Sequence, residues 1–278
     1  MAITKPTVSI IVSIYNDLEA LTLVINSLLN QSHIADEIII TEDAEHDYIK
    51  KYISDLNNNK IIHLSQEDKG WRKEKALNSA IRISSSEYLI FIDGDCIPFK
   101  HFIKSHLELS QEKHALCGRR TEPGINISKK LKNKELSISD LEENYFKYYN
   151  EMIQDKVRHY EEGIYLKTDS MILKLINKFR KKNNHIVGCN WSCYKRDLEL
   201  INGYDEDFTL PTNGEDTDIE RRLRYFDIKI KSCRNSANVF HLYHEKNFNA
   251  NITQQTKALM DTKKDIFVCN NGLQNLKI

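Results

Sequence analysis

Residues 88–95, Tyr-Leu-Ile-Phe-Ile-Asp-Gly-Asp, join a short apolar run to two acids that flank a glycine. An apolar run of this length is typical of a strand that is buried on both faces, as in the parallel sheets of α/β proteins. Two carboxylates at the end of a buried strand are costly unless they are solvated, paired or bound to a metal. Carboxylate oxygens suit hard cations such as Mg²⁺ or Mn²⁺, so Asp93 and Asp95 are candidate ligands; the alternative is a turn, in which Asp-Gly is common.

Upstream of this run the chain alternates between strand patterns and helix patterns. Short apolar runs predict three further strands, at residues 8–13, 37–41 and 61–64. Apolar residues at helical spacing predict helices at 18–29, with Asp17 as the N-cap, and at 73–83. Strands that alternate with helices imply a mostly parallel sheet, and a ligand then binds at the carboxyl ends of its strands.

The composition excludes several classes of protein. The 278 residues carry 40 basic and 40 acidic side chains, and this balance argues against a general nucleic-acid binder. No segment approaches the roughly 18 apolar residues of a membrane span, and no signal peptide is evident. The six cysteines form no CxxC pair, so we expect free thiols rather than a zinc site. These features together predict a cytoplasmic globular protein.

The texture changes after residue 120. Residues 121–184 are rich in lysine and aromatic residues and read as a helical, partly exposed insertion. Within it, residues 164–179 have an apolar helical periodicity that runs into Arg180-Lys-Lys182. The insertion either presents an ordinary solvated face or forms a patch for an acceptor or an anionic membrane surface. The tail from Phe248 is polar and predicts a loosely packed helix with a frayed end.

Three further clusters could carry chemistry. Glu215 and Asp216 precede a helix predicted at 219–226; they are either first-turn acids that complement the helix dipole or a general base. His241 and His244 are either structural or ligands of manganese or zinc. Residues 66–72 contain Lys69 and Arg72, which either contact phosphate or lie in an exposed turn. Glycine-rich dinucleotide and P-loop motifs are absent from the sequence.

In their order and spacing, these segments resemble the family 2 glycosyltransferases, which have the GT-A nucleotide-diphosphosugar fold: a Rossmann-like, mostly parallel α/β sheet, here with a helical insertion. The second half is similar to the chondroitin polymerases and the β-1,4-galactosyltransferases. The segments that carry the resemblance are residues 8–16, Glu37–Asp43, Asp68–Arg72 with Ala76-Leu-Asn78, Asp93-Gly-Asp95, Gly188–Ser192, Asn202–Asp205, Glu215-Asp216 and His244.

The resemblance implies a role for each matching residue. Asp216 would be the catalytic base, and Glu215 would bind acceptor or donor hydroxyls. Asp95 and His244 would hold Mn²⁺ or Mg²⁺, with His241 as the competing ligand. The residues implied in binding the nucleotide sugar are Ser13, Tyr15 and Asp43 around the uridine, Asp93 and Gly94 at the ribose or donor sugar, and Lys69, Arg72, Asp95 and Trp191 elsewhere in the donor site.

The resemblance also implies an activity. We expect an inverting transfer of a hexose or N-acetylhexosamine from a UDP-sugar to a lipid-linked or oligosaccharide acceptor, in bacterial surface polysaccharide, lipopolysaccharide or O-antigen synthesis. A peripheral contact with the inner face of the membrane would go with such an acceptor. We expect one domain over residues 1–278, divided into a nucleotide-sugar half (1–120), the helical insertion (121–185), a catalytic half (186–246) and a tail (247–278).

Two other functions use related parts. A sugar nucleotidyltransferase would need a glycine-rich phosphate loop after the first strand, whereas residues 13–18 contain no glycine. A non-catalytic sugar-binding module would have no need of the base, Asp216. Two segments also depart from the family pattern. Where the family usually has two acids followed by Gly-Ser, this chain has Glu42-Asp-Ala-Glu45, and Pro211-Thr-Asn-Gly214 lacks the tryptophan found in related members. The donor sugar therefore does not follow from the resemblance.

Overall fold

The computed structural model describes residues 5–155, 158–180, 184–211, 214–245 and 250–276. Within these ranges the strands are β1 (Val8–Ile14), β2 (Glu37–Glu42), β3 (Ile61–Ser65), β4 (Tyr88–Asp93), β5 (Cys96–Pro98), β6 (His114–Cys117), β7 (Arg120–Thr121), β8 (Trp191–Tyr194), β9 (Lys229–Ser232) and β10 (Val239–His241).

The same ranges contain helices of both α and 3₁₀ type. The α-helices are α1 (Leu18–Leu29), α2 (Asp47–Asp55), α3 (Lys73–Ile83), α4 (Phe102–Leu109), α5 (Ile125–Lys132), α6 (Ile138–Glu143), α7 (Tyr149–Gln154), α8 (Met171–Phe179), α9 (Lys195–Leu200), α10 (Gly214–Tyr225) and α11 (Ala250–Lys263). Two 3₁₀ turns cover Tyr145–Tyr148 and Tyr160–Gly163.

A seven-stranded sheet in the order β3-β2-β1-β4-β8-β6-β9 forms the centre of the molecule. All neighbouring strands are parallel except β8, which is antiparallel to both β4 and β6. The predicted mostly parallel α/β sheet is therefore confirmed. Its first four strands follow the sequence-based prediction to within a residue or two at each end.

The central strands are buried on both faces, as their continuous apolar runs predict. Along β1, Ile10 and Val12 pack with α1 and α4 on one face, and Ile11 packs with α3, α9 and α10 on the other. Strand β1 pairs with β4 in a register that sets Ser13 beside Asp93. The two strands therefore end together, and their polar residues meet at one edge of the sheet.

A second, three-stranded sheet has the order β5-β10-β7. Strand β10 is antiparallel to β5, and His241 pairs with Cys96. This register carries His241 from the far end of the chain to the segment that follows Asp93 and Asp95. The two histidines are thus brought to the acidic edge by backbone pairing.

Three segments differ from their predicted bounds. The helix predicted over 164–179 forms only from Met171, because Leu166 instead donates its N–H to the Asn235 carbonyl at 2.6 Å. The helix predicted from Ile219 begins at Gly214, so Glu215 and Asp216 lie in its first turn. The predicted tail helix is α11, and Phe248 lies outside the described residues. Among the described helices, none has the length and apolar character needed to cross a bilayer.

Candidate active site

The site begins where β1 and β4 end side by side. The Ser13 hydroxyl donates a hydrogen bond to Asp93 Oδ1 at 2.9 Å, and the Gly94 N–H donates to the Ser13 carbonyl at 2.7 Å. A Cβ at Gly94 would lie 3.1 Å from both Ile14 Cβ and the Ser13 oxygen, so a side chain there would crowd the neighbouring strand. The glycine between the two acids lets the chain turn tightly against β1, which leaves Asp95 beyond the end of the sheet.

Asp43, after β2, is fixed by two hydrogen bonds. Gln66 Nε2 donates to its Oδ1 at 2.6 Å, and the Arg72 N–H donates to its Oδ2 at 2.7 Å. Burial raises the pKa of Asp43, and these two donors partly counter that effect. Tyr15, half exposed, donates its hydroxyl to Asp68 Oδ2 at 2.8 Å. The residues implied in uridine binding therefore line one end of the sheet edge, with Tyr15 at the rim.

Lys73 connects the two acidic segments. Its ammonium lies 2.7 Å from Asp93 Oδ1, at the first turn of α3. Burial lowers the pKa of Lys73, but the charges of Asp93, Glu215 and Asp216 outweigh burial and hold that pKa well above its usual value. Lys73 also keeps the pKa of Asp93 below its usual value, although burial acts in the opposite direction. One cation therefore balances three carboxylates.

Glu215 and Asp216 sit in the first turn of α10, almost entirely buried. The Gly188 N–H donates to Asp216 Oδ2 at 2.7 Å, and a Cβ at Gly188 would lie 2.7 Å from Asp216 Oδ1, closer than atoms can pack. Burial raises the pKa of Asp216 to about 6, a rise that Lys73 and the Gly188 amide limit. Burial and the adjacent Asp216 raise the pKa of Glu215 well above its usual value. Asp216 is therefore an ionised carboxylate near neutral pH, more basic than an ordinary aspartate.

Asp95, His241 and His244 form the third part of the site. Asp95 Oδ2 lies 3.4 Å from His241 Nε2 and 3.6 Å from His244 Nε2. Two ligands of one octahedral ion with bonds of about 2.1 Å lie roughly 3 Å apart, so these separations fit a shared divalent cation. One carboxylate and two imidazoles are an oxygen and nitrogen donor set suited to Mn²⁺. The structure brings both histidines to Asp95. Among the described residues, His241 is the histidine whose ligand atom lies within 4.8 Å of those of both Asp95 and Cys96, a group that does not include His244.

Several buried polar atoms around Lys73 lack a hydrogen-bond partner among the described residues. They are Arg72 Nε and Nη2, both carboxylate oxygens of Glu74, and Glu215 Oε2. Burial raises the pKa of Glu74 to about 7. Buried polar groups in folded proteins are nearly always paired, so these donors and acceptors call for a further polar group, such as a water, an ion or a ligand atom, to complete them.

Two of the residues implied in donor binding make none of these contacts in the described structure. Trp191 is completely buried and stacks on Phe91 of the neighbouring strand at a centroid distance of 4.6 Å, so it packs in the core and offers no surface to a ligand. Lys69 lies on the surface and pairs with the exposed Glu67 at 2.6 Å. Of the segment 211–214, which departs from the family pattern, the structure describes only Pro211 and Gly214, because Thr212 and Asn213 lie outside the described residues.

The sequence interpretation assigned no role to Lys73 or Glu74. Lys73 was used only to mark the start of a helix, although it directly follows Arg72 in the motif that carries the resemblance. This position next to the motif is the feature of the sequence from which a role for Lys73 could have been inferred. Glu74 carries no comparable signal, because an acid in the first turn of a helix is ordinary. Its burial appears only when the sheet and α10 are packed together.

Comparisons with known proteins agree with this geometry. Residues 173–245 match the family described as N-terminal domain of galactosyltransferase. Among curated proteins, the chain is 28% identical over 109 residues to the glycosyltransferase AglE of Haloferax volcanii and 29% identical over 110 residues to the glycosyltransferase GlyG of Streptococcus pneumoniae. These matches cover 37% and 39% of this chain, but only 35% and 36% of the respective relatives.

Solved structures share the fold at low sequence identity. A mannosyltransferase from Pyrobaculum calidifontis in complex with GDP-Man and Mn²⁺ superposes with a TM-score of 0.60 at 14% identity, covering 94% of this chain and 64% of that one. GalNAc-T7 with UDP, GalNAc and Mn²⁺ gives 0.62 at 10% identity, covering 95% and 49%. TarS of S. aureus gives 0.55 at 14% identity, covering 92% and 39%. These likenesses show the GT-A fold.

Residues 9–164, more than half of the 278-residue chain, match the family described as Glycosyl transferase family 2. On this match the chain belongs to glycosyl transferase family 2.

Proposed function

We propose that the chain transfers a hexose or N-acetylhexosamine from a UDP-sugar to an acceptor hydroxyl, with inversion, in the assembly of a bacterial surface polysaccharide such as lipopolysaccharide or O-antigen. The observation that carries this proposal is the convergence of Asp93, Glu215 and Asp216 on Lys73 at the carboxyl edge of the sheet. This arrangement joins a nucleotide-binding edge to a buried carboxylate base. Solved relatives in complex with nucleotides and Mn²⁺ support a nucleotide-sugar donor and a divalent cation.

The donor lies along the edge from β2 to β4. Asp43 and Tyr15 would face the nucleoside, and Ser13 and Asp93 the ribose or the sugar. We assign the Arg72 guanidinium to the diphosphate; its Nε and Nη2 are buried and have no partner among the described residues. Guanidinium is well matched to phosphate oxygens because it offers several N–H donors in one plane. The Gly94 turn lets the backbone of the acidic motif come close to the donor.

The cation site is assigned to Asp95, His241 and His244. A divalent cation bound there would neutralise charge on the leaving diphosphate. His241 comes from β10, which pairs with β5, Asp95 from the loop after β4, and His244 from the segment after β10, so the small sheet fixes the position of His241 beside Asp95. Cys96 also lies near His241, but its sulfur suits hard cations less well than carboxylate and imidazole do.

Asp216 is the base for the acceptor. It removes the proton from the acceptor hydroxyl as that oxygen bonds to the anomeric carbon, while the bond from that carbon to the diphosphate oxygen breaks and its electron pair leaves with the nucleotide. A pKa of about 6 is well suited to this task, because the base is ionised at neutral pH yet accepts a proton readily. A single displacement from the opposite face inverts the anomeric centre, so an α-linked donor gives a β-glycoside.

We assign Glu215 to the binding of sugar hydroxyl groups and not to proton transfer. Its Oε2 has no partner among the described residues, so this oxygen is an acceptor that a sugar hydroxyl can use, and burial beside Asp216 raises the pKa of the carboxyl group. We propose that it positions the acceptor or donor sugar.

The acceptor is a lipid-linked or free oligosaccharide, and the enzyme works in the cytoplasm at the inner face of the cell membrane. The support for the membrane contact is the exposed apolar face of α8.

The test is a panel of nucleotide sugars with Mn²⁺, in which release of nucleoside diphosphate is measured with and without EDTA. We expect release from a UDP-sugar that requires the cation. The anomeric configuration of the product, read by NMR, tests inversion. Release of pyrophosphate from a sugar phosphate and UTP would instead identify a nucleotidyltransferase. UDP binding in calorimetry without turnover of any donor would identify a binding module.

A further inference from the structure

Helix α8 exposes an apolar face that the rest of the described protein leaves uncovered. Of its nine residues, which the structure describes throughout, Leu173 is the one that is buried. Its large apolar residues are otherwise exposed, with exposed fractions from 38% to 81%; they are Met171, Ile172, Leu175, Ile176 and Phe179. We call these five residues the α8 face.

The α8 face is continuous. Successive helical residues are turned by about 100°, so the five side chains fall within an arc of roughly 140°. Leu173 lies outside this arc and anchors the helix to the protein. Large apolar patches are rare on soluble monomers, and those that exist usually mark a binding surface. Helix α8 therefore lies along the protein surface, with Leu173 packed against the protein and the α8 face turned outward.

Basic residues border this face. In the sequence, residues 164–182 carry six basic side chains against one acid, whereas the whole chain has 40 of each. Lys174 and Lys178 are exposed on α8 itself, one turn apart beside Met171, and Arg180 follows at its end. Arg180 is partly buried and donates to Asn235 Oδ1 at 2.6 Å, so the exposed cations beside the face are the two lysines along its Met171 edge. Apolar side chains edged by lysines are a combination that binds the headgroup region of anionic bilayers.

Helix α8 is connected to the base through a short segment. Gly188, which donates to Asp216, follows Phe179 by nine residues, and a chain of that length reaches at most about 32 Å. Along this segment, Ile186 donates its N–H to Glu220 on α10 at 2.7 Å. A surface bound to α8 is therefore held within reach of the acceptor side of the cleft.

We propose that the α8 face binds an anionic lipid bilayer and holds the cleft above it, so that an acceptor can react while its lipid remains in the membrane. The bilayer contact stands on the exposed face and its charge, and only the nature of the acceptor rests on the proposed function. The apolar side chains would insert into the bilayer, and Lys174 and Lys178 would supply the preference for anionic lipid.

The test is co-sedimentation of the full chain with vesicles of phosphatidylcholine alone or mixed with phosphatidylglycerol. We expect binding to the mixed vesicles at least about tenfold tighter than to phosphatidylcholine. Leu175→Ser with Phe179→Ser should weaken binding at least about tenfold, since it removes apolar surface. Lys174→Gln with Lys178→Gln should remove most of the preference for anionic lipid. The matched control is Ile34→Ser with Leu200→Ser, which removes two exposed apolar residues elsewhere and should bind as the wild type does.

Equal binding by the α8 variants and the control would overturn the proposal, as would a wild type that binds neither kind of vesicle. A mass by light scattering that is twice that of the chain, and that the α8 double variant halves, would assign the face to a second copy instead. Turnover of a UDP-sugar with a soluble acceptor is measured in parallel. Because the α8 residues lie outside the cleft, that turnover should be unchanged in every variant, so failure of the bilayer contact and failure of the transferase proposal give different results.

Discussion

Lys73 Nζ lies 2.7 Å from Asp93 Oδ1, and this contact ties the first turn of α3 to the end of β4. The same ammonium acts on Glu215 and Asp216 at the start of α10. Three carboxylates in one cleft repel one another, and each would take up a proton more readily without a nearby cation. Lys73 therefore controls how much negative charge the cleft holds at neutral pH.

Replacing Lys73 should move the titration of the base. In Lys73→Met the carboxylates lose their cation, so the pKa of Asp216 should rise and the acidic fall of kcat/KM should move to higher pH. At neutral pH we expect a loss of activity of about 10²-fold. The exposed neighbour gives a matched control, since Lys75→Met should keep both the rate and the pH profile of the wild type. An unchanged pH profile in Lys73→Met would show that Lys73 does not influence the pKa of the base.

Asp216→Asn removes the base while keeping its shape. The amide oxygen can still accept the Gly188 N–H, so the cleft should stay folded. We expect transfer to fall by about 10²- to 10⁴-fold, the usual contribution of a general base, and UDP affinity by calorimetry to change little. Asp227→Asn is the control, because Asp227 is exposed and has a positive φ of 60°, a conformation that asparagine accepts. Transfer within a few-fold of the wild type would remove Asp216 from the mechanism.

The pH dependence of the wild type follows from the same carboxylate. Burial raises the pKa of Asp216 to about 6, and the base works only when ionised. The rate should therefore be level above this pH and should fall about tenfold for each pH unit below it. The measurement is kcat/KM against pH in the presence of saturating cation. A rate that stays constant down to the range of an ordinary aspartate would show that the cleft does not perturb the base.

Much of the fold could be predicted from local patterns. The strands at β1 and β4 are continuous apolar runs, and α1 and α3 have clear helical periodicity, so short-range rules identify them. The helix predicted over 164–179 was too long because the hydrogen bond from Leu166 to Asn235 joins residues far apart in the chain. No periodicity encodes such a contact.

Residues of the candidate site could be predicted where they belong to a recognisable motif. They could not be predicted where packing decides which way a side chain points. Asp93, Asp95, Glu215 and Asp216 follow from order and spacing, and the structure does bring them to one edge of the sheet. Trp191 lies within a matching motif as well, yet it faces the core, because side chains alternate between the faces of β8 and sequence alone does not say which face a motif residue takes.

The two histidines should both contribute to cation affinity. His241 is nearly buried and is held by β10, whereas the His244 side chain is 51% exposed. We expect either His241→Ala or His244→Ala to raise the Mn²⁺ concentration for half-maximal activity at least about tenfold. EDTA should abolish wild-type activity, and added Mn²⁺ should restore it. His114→Ala is the control, because the hydrogen bond of its ring among the described residues is to the Glu112 carbonyl, at 2.9 Å from Nδ1, and the ring lies outside the site. If one of the two variants needs no more Mn²⁺ than the control, that histidine is not a ligand.

Glu74 should make the protein less stable as the pH rises. Burial raises its pKa from 4.5 to about 7, so the folded state keeps a proton that the unfolded state has lost between these values. Stability is therefore lost as the pH rises from the lower pKa to the higher one, by at most roughly 3 kcal/mol for this group. Glu74→Gln stays neutral throughout and should remove that loss.

The measurement is urea unfolding of the wild type and of Glu74→Gln between about pH 5 and about pH 8. The free energy of unfolding of the variant, relative to that of the wild type, should increase by about 2–3 kcal/mol over this range, because only the wild type has to bury a charge. Glu19→Gln is the matched control: it also replaces a first-turn acid, but the Glu19 side chain is 75% exposed, so its difference from the wild type should stay flat. A flat difference for Glu74→Gln too would mean that the Glu74 carboxylate is ionised and satisfied in the folded protein.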